Sequence, residues 1–126
     1  MWKSGDLVDK YEKIKEDIYE RFVFTLNQCG KFLLSATDEV IETCIFEDFD
    51  LGIRSDFCDE ILEMFITQGW IDNDIVDKCK QLKSLFLNID ASRAQLWNIG
   101  SVRFSSEWRE VMELSDEIKS MLYYNI

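Results

Sequence analysis

Histidine is absent from this chain of 126 residues, and so is proline. Without an imidazole, the sequence excludes Ser-His and Cys-His nucleophile pairs and any histidine general base at neutral pH. No G-x-S-x-G, Walker or G-x-G-x-x-G motif occurs, because each glycine stands alone. We therefore expect no catalytic residues and a protein that is not an enzyme.

Long apolar runs are missing as well. The opening MWKSGDLVDKYEK turns charged at once, and no stretch approaches the roughly 18 apolar residues of a membrane span. We expect a cytoplasmic protein that does not enter a membrane. The four cysteines never form a C-x-x-C pair and lie among apolar neighbours, so we predict buried, reduced thiols rather than disulfides or zinc ligands at Cys29, Cys44, Cys58 and Cys79.

The stretch 48-DFDLGIRSDFCDE-60 is the nearest approach to a metal motif. An EF-hand loop needs glycine at its sixth position and glutamate at its twelfth. Counted from Asp48, these positions hold Ile53 and Asp59. The sequence therefore predicts no metal site, and nothing in it indicates a cofactor.

Only five glycines interrupt the chain, and we interpret them as boundaries between helices, because glycine weakens helix interiors and is favoured beyond helix ends. Apolar residues between them recur at three- and four-residue steps. The predicted helices span about 6–28, 37–47, 55–69, 72–89 and 106–122, with Thr37, Ser55 and Asp72 as N-caps. Residues 90–104 are expected to form a loop, or a short helix around Leu96 to Ile99. We predict an all-α, single α-helical domain over residues 1–126, a compact bundle of about five helices.

Positive charge is scarce in one third of the chain. Between Thr37 and Asp77 lie 13 of the 25 acidic residues but only one of the 14 basic residues, Arg54, so this acidic segment carries −12 and the rest +1. A surface selected only for solubility intersperses both signs. Such segregation instead favours a basic protein partner, and it disfavours nucleic acid, whose phosphates this surface would repel.

Helical-wheel positions place most of these acids on the outer sides of the second and third predicted helices, with Asp48 and Asp50 in a loop joining them near Gly52. Phe46 falls among the acids on the side expected to face solvent, which is typical of an interface anchor inside a charged rim. Phe49, Phe57 and Phe65 are assigned to the core. The predicted partner-binding residues are Glu39, Glu42, Phe46, Glu47, Asp48, Asp50, Asp56, Asp59, Glu60 and Glu63.

Three stretches between about Glu39 and Leu122 carry a resemblance to a known family: EVIETCIFEDFDLG, DEILEMFITQGWIDNDIVDKCKQL and LWNIGSVRFSSEWREVMELSDEIKSML. Their succession resembles small helical immunity proteins of bacterial toxin systems, in particular the contact-dependent growth inhibition type. The resemblance implies a helical protein that protects its producer by binding a delivered toxin domain, often a nuclease. It transfers no catalytic or contact residue.

Charge and resemblance together predict a non-enzymatic, acidic immunity protein that binds and neutralises a basic toxin domain such as a ribonuclease. A nuclease needs a basic cleft for phosphates, and an acidic inhibitor is steered towards such a cleft. The alternative is a structural adaptor or regulatory subunit whose acidic face binds another basic protein without inhibiting it.

Overall fold

The computed structural model describes the backbone of residues 4–124 and the side chains of residues 9–122. Within this range the chain is all-α, with seven helices and no strand. The helices are α1 (Ser4–Asn27), α2 (Asp38–Asp56, in three consecutive parts), α3 (Asp59–Thr67), α4 (Asn73–Ala91), α5 (Arg93–Leu96), α6 (Ile99–Phe104) and α7 (Ser106–Tyr124). A 3-10 turn, Lys31–Ser35, links α1 to α2. The predicted class is confirmed, whereas the number of helices rises from five to seven because α5 and α6 form within residues 93–104.

Two of the three predicted N-caps are confirmed. The side chains of Thr37 and Asp72 accept hydrogen bonds from the backbone N–H groups of Val40 (3.3 Å) and Ile75 (2.9 Å). Ser55 is not a cap, because it lies inside α2 and donates its hydroxyl hydrogen to the carbonyl of Leu51 at 2.9 Å. The third helix begins four residues later than predicted, at Asp59.

α2 does not end near Glu47 as predicted. It runs as an α-helix over Asp38–Ile41, as a π-helix over Glu42–Phe49 and again as an α-helix over Asp50–Asp56. Its buried apolar residues recur at every fourth position, at Ile41, Ile45, Phe49 and Ile53. A four-residue repeat drifts around an α-helix in one sense, and the wider π turn reverses that drift. The repeat therefore stays on the core side of one long helix.

Gly52 marks a close helix contact rather than the predicted junction between helices. It is buried in the last part of α2, where α2 crosses α1. A Cβ atom at this position would lie against Thr25 Oγ1, 2.7 Å from Thr25 Cγ2 and 2.8 Å from Thr25 Cβ. Only glycine lets the two backbones approach this closely. Gly69, by contrast, follows the end of α3 with φ +74°, as a boundary glycine should.

One continuous set of buried side chains connects α1, α2, α3, α4 and α7. The three phenylalanines assigned to the core, Phe49, Phe57 and Phe65, are all buried, which confirms that part of the prediction. α4 packs along α7, and Trp108 of α7 is fully buried with its indole N–H donated to the carbonyl of Leu96 at 2.7 Å. The short helix α5 is thereby tied to the core through a backbone acceptor.

Buried polar contacts from α7 hold the end of α1. The Ser115 hydroxyl lies 3.0 Å from the carbonyl oxygen of Leu26 and 2.9 Å from that of Cys29, and Lys119 donates to the Cys29 carbonyl at 2.8 Å. These carbonyls fall where a helix end leaves acceptors without partners inside the helix. The contacts therefore fix where α1 stops and the 3-10 turn begins.

Candidate partner-binding surface

Three predicted site residues on α2 are exposed carboxylates: Glu39, Glu42 and Glu47. Among the residues that the structure describes, none of the three has a cation within ion-pair distance. We call this set the α2 carboxylates. Their negative charge is open to a partner.

Basic residues from other parts of the chain reach several of the remaining acids. Arg103 of α6 lies 2.6 Å from Asp38, and Lys80 of α4 lies 3.6 Å from Asp59. Basic residues from outside the acidic segment therefore neutralise part of its charge in the folded protein.

Asp56 was expected on an exposed helix face, and this prediction is wrong. Its side chain belongs to the end of α2, where the residue is only 3% exposed and accepts a hydrogen bond from Arg21 of α1 at 3.0 Å. Because α2 continues past Gly52, Asp56 faces α1 instead of solvent. Its role is to pair α1 with α2.

Asp50 forms an ion pair with Arg54, the single basic residue of the acidic segment. Arg54 Nε donates to Asp50 at 2.8 Å, and Arg54 NH2 lies 3.1 Å from Asp90 of α4. The Arg54 hydrogen bond, with a second from Arg93, lowers the pKa of Asp90 below its usual value. Arg54 is therefore engaged inside this cluster and leaves the α2 carboxylates unneutralised.

The predicted acids of α3 lie next to lysines. Asp59 and Glu60 line an open groove whose opposite wall, on α4, carries Lys80 and Lys83. Glu63 is exposed and has no ion pair within the described part of the chain. Lys80 and Lys83 thus offset part of the negative charge of α3, whereas no cation of the described chain lies within ion-pair distance of the α2 carboxylates, and this difference shifts the candidate surface towards α2.

Phe46 is not the exposed anchor that the helical wheel indicated. It is half-buried against the core, with its ring centroid 5.1 Å from that of Trp97 and 6.4 Å from that of Trp108. Two features turn it inward: the π-helical part of α2 and the helices formed by residues 93–104, which supply Trp97. Phe46 is therefore part of the aromatic packing under the α2 carboxylates.

An apolar groove that sequence reasoning missed lies between α1 and α2. Phe24 (52% exposed) and Leu51 (71% exposed) line it together with Asp48, over a volume of about 390 Å³. The sequence signal that could have indicated this groove is that both residues lie outside the apolar stripes of their helices. Phe24, for example, is two positions from the buried Phe22 and so lies on the opposite side of α1. We call this feature the α1–α2 groove.

The cysteines are all free thiols. Cys29 and Cys79 are buried as predicted, and burial raises the pKa of the Cys79 thiol to about 12 and raises the pKa of Cys29 as well. Cys44 and Cys58 are free as predicted but only half-buried, so the predicted burial holds for them only in part. The two buried thiols stay protonated and unreactive at neutral pH.

No group of three or more Cys, Asp or Glu side chains within residues 9–122 is arranged to hold a metal ion. Across the described helices, none combines the length and apolar character needed to cross a membrane.

The candidate surface thus consists of the α2 carboxylates and the α1–α2 groove, which the half-buried Asp48 lines. Comparison with known proteins adds no assignment: this chain matches no protein family model, no curated protein and no solved structure.

Proposed function

We propose that this chain is a non-enzymatic immunity protein that binds and neutralises a basic bacterial toxin domain, a nuclease delivered by contact-dependent inhibition. One observation carries the proposal: the α2 carboxylates are exposed without ion pairs in the described structure, inside a segment with a charge of −12. The resemblance to helical immunity proteins supports a toxin as the partner.

Electrostatics explains why such a surface suits an inhibitor of a nuclease. A nuclease carries cationic side chains that neutralise phosphates, so its cleft attracts carboxylates. Complementary charge speeds association by steering the two proteins together. An immunity protein benefits from speed, because it must reach the toxin before the toxin reaches its substrate. Docking would also relieve repulsion among the α2 carboxylates.

Neutralisation of a toxin tests the proposal directly. If the reading frame upstream of the gene for this chain ends in a small toxin domain, as the proposal expects, that domain is the probe, produced in a test bacterium with or without the chain; an upstream frame without such a domain would count against the proposal. We expect growth to be restored only when the chain is present, and the purified proteins to form a complex whose association rate falls as salt is added. A complex without restored growth would instead support the adaptor alternative.

A pair of matched variants links the effect to α2. Glu42→Lys/Glu47→Lys reverses two exposed carboxylates of α2, and Glu110→Lys/Glu113→Lys reverses two exposed carboxylates of α7. None of the four makes an ion pair among the described residues. The first variant should associate about tenfold more slowly at low salt than the second. Equal rates would rule out the α2 carboxylates as the steering surface.

A further inference from the structure

Asp48 carries a charge that the fold leaves without a counter-ion. It lies in the π-helical part of α2, half-buried, and makes no ion pair within the described chain. Its charge adds to the effect of burial in raising the pKa of the neighbouring Cys44 thiol. A partly desolvated carboxylate is stabilised by a cation placed beside it.

Apolar surface flanks this carboxylate. The exposed parts of Phe24 and Leu51 face the same groove as Asp48. Since apolar area left in water is unfavourable by about 25 cal/mol per Å², a partner that covered both side chains would gain affinity.

The one basic residue of the α1–α2 groove is already engaged. Arg21 NH2 lies 3.0 Å from Asp56, the buried carboxylate at the end of α2. The charge that remains to be matched in the groove is thus the negative charge of Asp48.

We propose that the α1–α2 groove is the docking site for a partner segment that presents an apolar side chain next to a lysine or arginine. The apolar side chain would lie between Phe24 and Leu51, and the cation would pair with Asp48. A volume of about 390 Å³ lies at the small end of binding-pocket sizes, which suits a few side chains of a segment rather than a folded domain. This inference rests on the proposed function, in that the segment belongs to the basic toxin domain.

Substitutions that keep the fold can block the groove. Leu51→Arg adds bulk and positive charge at a side chain that is 71% exposed, and Phe104→Arg makes the same change in charge at α6, where Phe104 is 86% exposed. Asp48→Asn removes the charge with little change in shape. Circular dichroism and thermal melting would verify that all three variants fold as the parent does.

The experiment is isothermal titration calorimetry of the same toxin domain against the parent chain and these variants. We expect Leu51→Arg to weaken binding about 30-fold or more, the threshold of a binding hot spot, and Phe104→Arg to change it less than threefold. Asp48→Asn should weaken binding about tenfold and reduce its dependence on salt.

The outcomes separate the two proposals. If the parent chain neutralises the toxin and Leu51→Arg binds it as tightly as the parent does, the groove is not the docking site, although the proposed function stands. If the parent chain neither binds nor neutralises the toxin domain, the proposed function fails and the docking inference fails with it.

Discussion

At the scale of single residues, the positions that sequence reasoning misjudged are those whose neighbours are distant in the chain. Asp56 was predicted to be exposed from its place on a wheel, but its partner is Arg21 of α1, 35 residues away. Gly52 was interpreted as a helix boundary, but Thr25 of α1 is the reason for glycine there. A local pattern contains neither partner, so a wheel cannot reveal such roles.

Gly52→Ala tests the close helix contact. In an unobstructed helix this change is worth up to about 1 kcal/mol of stabilisation, but overlap with Thr25 should dominate and lower the free energy of unfolding by about 1–3 kcal/mol. Urea denaturation measures the difference. Gly100→Ala is the matched control, because a Cβ atom there meets nothing closer than Asn98 Oδ1 at 3.3 Å, and it should be nearly neutral.

A double-mutant cycle with Thr25→Ala identifies the obstacle. Removing Thr25 Oγ1 and Cγ2 leaves only its Cβ, 2.8 Å from the new methyl position. The cost of Gly52→Ala should therefore shrink by about 1 kcal/mol or more in the Thr25→Ala background. An unchanged cost would mean that the strain lies elsewhere in α2.

At the scale of helices, hydrophobic periodicity predicted the long elements well and failed where the period changed. The apolar residues of α1, α4 and α7 follow an α-helical period, and the predicted spans overlap the observed ones, although Tyr11 and Ile14 of α1 are exposed. The apolar repeat of α2 has a period of four, which fits neither a helix of 3.6 residues per turn nor a break. A prediction based on the α-helical period alone therefore placed the end of α2 too early and placed Phe46 on the exposed side.

The position of Phe46 leads to a prediction about stability. Because its ring packs against Trp97 and Trp108, Phe46→Ala should lower the free energy of unfolding by about 2–3 kcal/mol, somewhat less than for a fully buried phenylalanine. Phe104→Ala is the control with the same chemical change at a residue that is 86% exposed, and it should stay within about 0.5 kcal/mol. Chemical denaturation of the two variants makes the comparison. Equal effects would return Phe46 to the surface role first predicted.

At the scale of the whole molecule, charge was the property that the sequence alone predicted best. The net charge of −11 and its concentration between Thr37 and Asp77 require no structure. The structure shows which of the charged side chains have no ion-pair partner among the described residues. Arg21, Lys80 and Arg103 meet three of the acids from outside the segment, and the α2 carboxylates stay unpaired within the described chain. Which acids are paired depends on tertiary packing, so it could not be predicted from the spacing of residues in the sequence.

The free protein should become more stable as salt is added, because salt screens the repulsion among its carboxylates. Screening shortens the range of charge interactions from about 30 Å at 0.01 M salt to about 10 Å at 0.1 M, so repulsion among carboxylates weakens more than the short ion pairs do. We expect the melting temperature to rise as sodium chloride increases from about 0.01 to 0.3 M. Differential scanning calorimetry measures it. Glu42→Lys/Glu47→Lys, which lowers the local charge, should melt higher at low salt and show a smaller rise. A melting temperature that falls with added salt in both proteins would mean that ion pairs outweigh repulsion, and that α2 is not under the electrostatic strain that a basic partner would relieve.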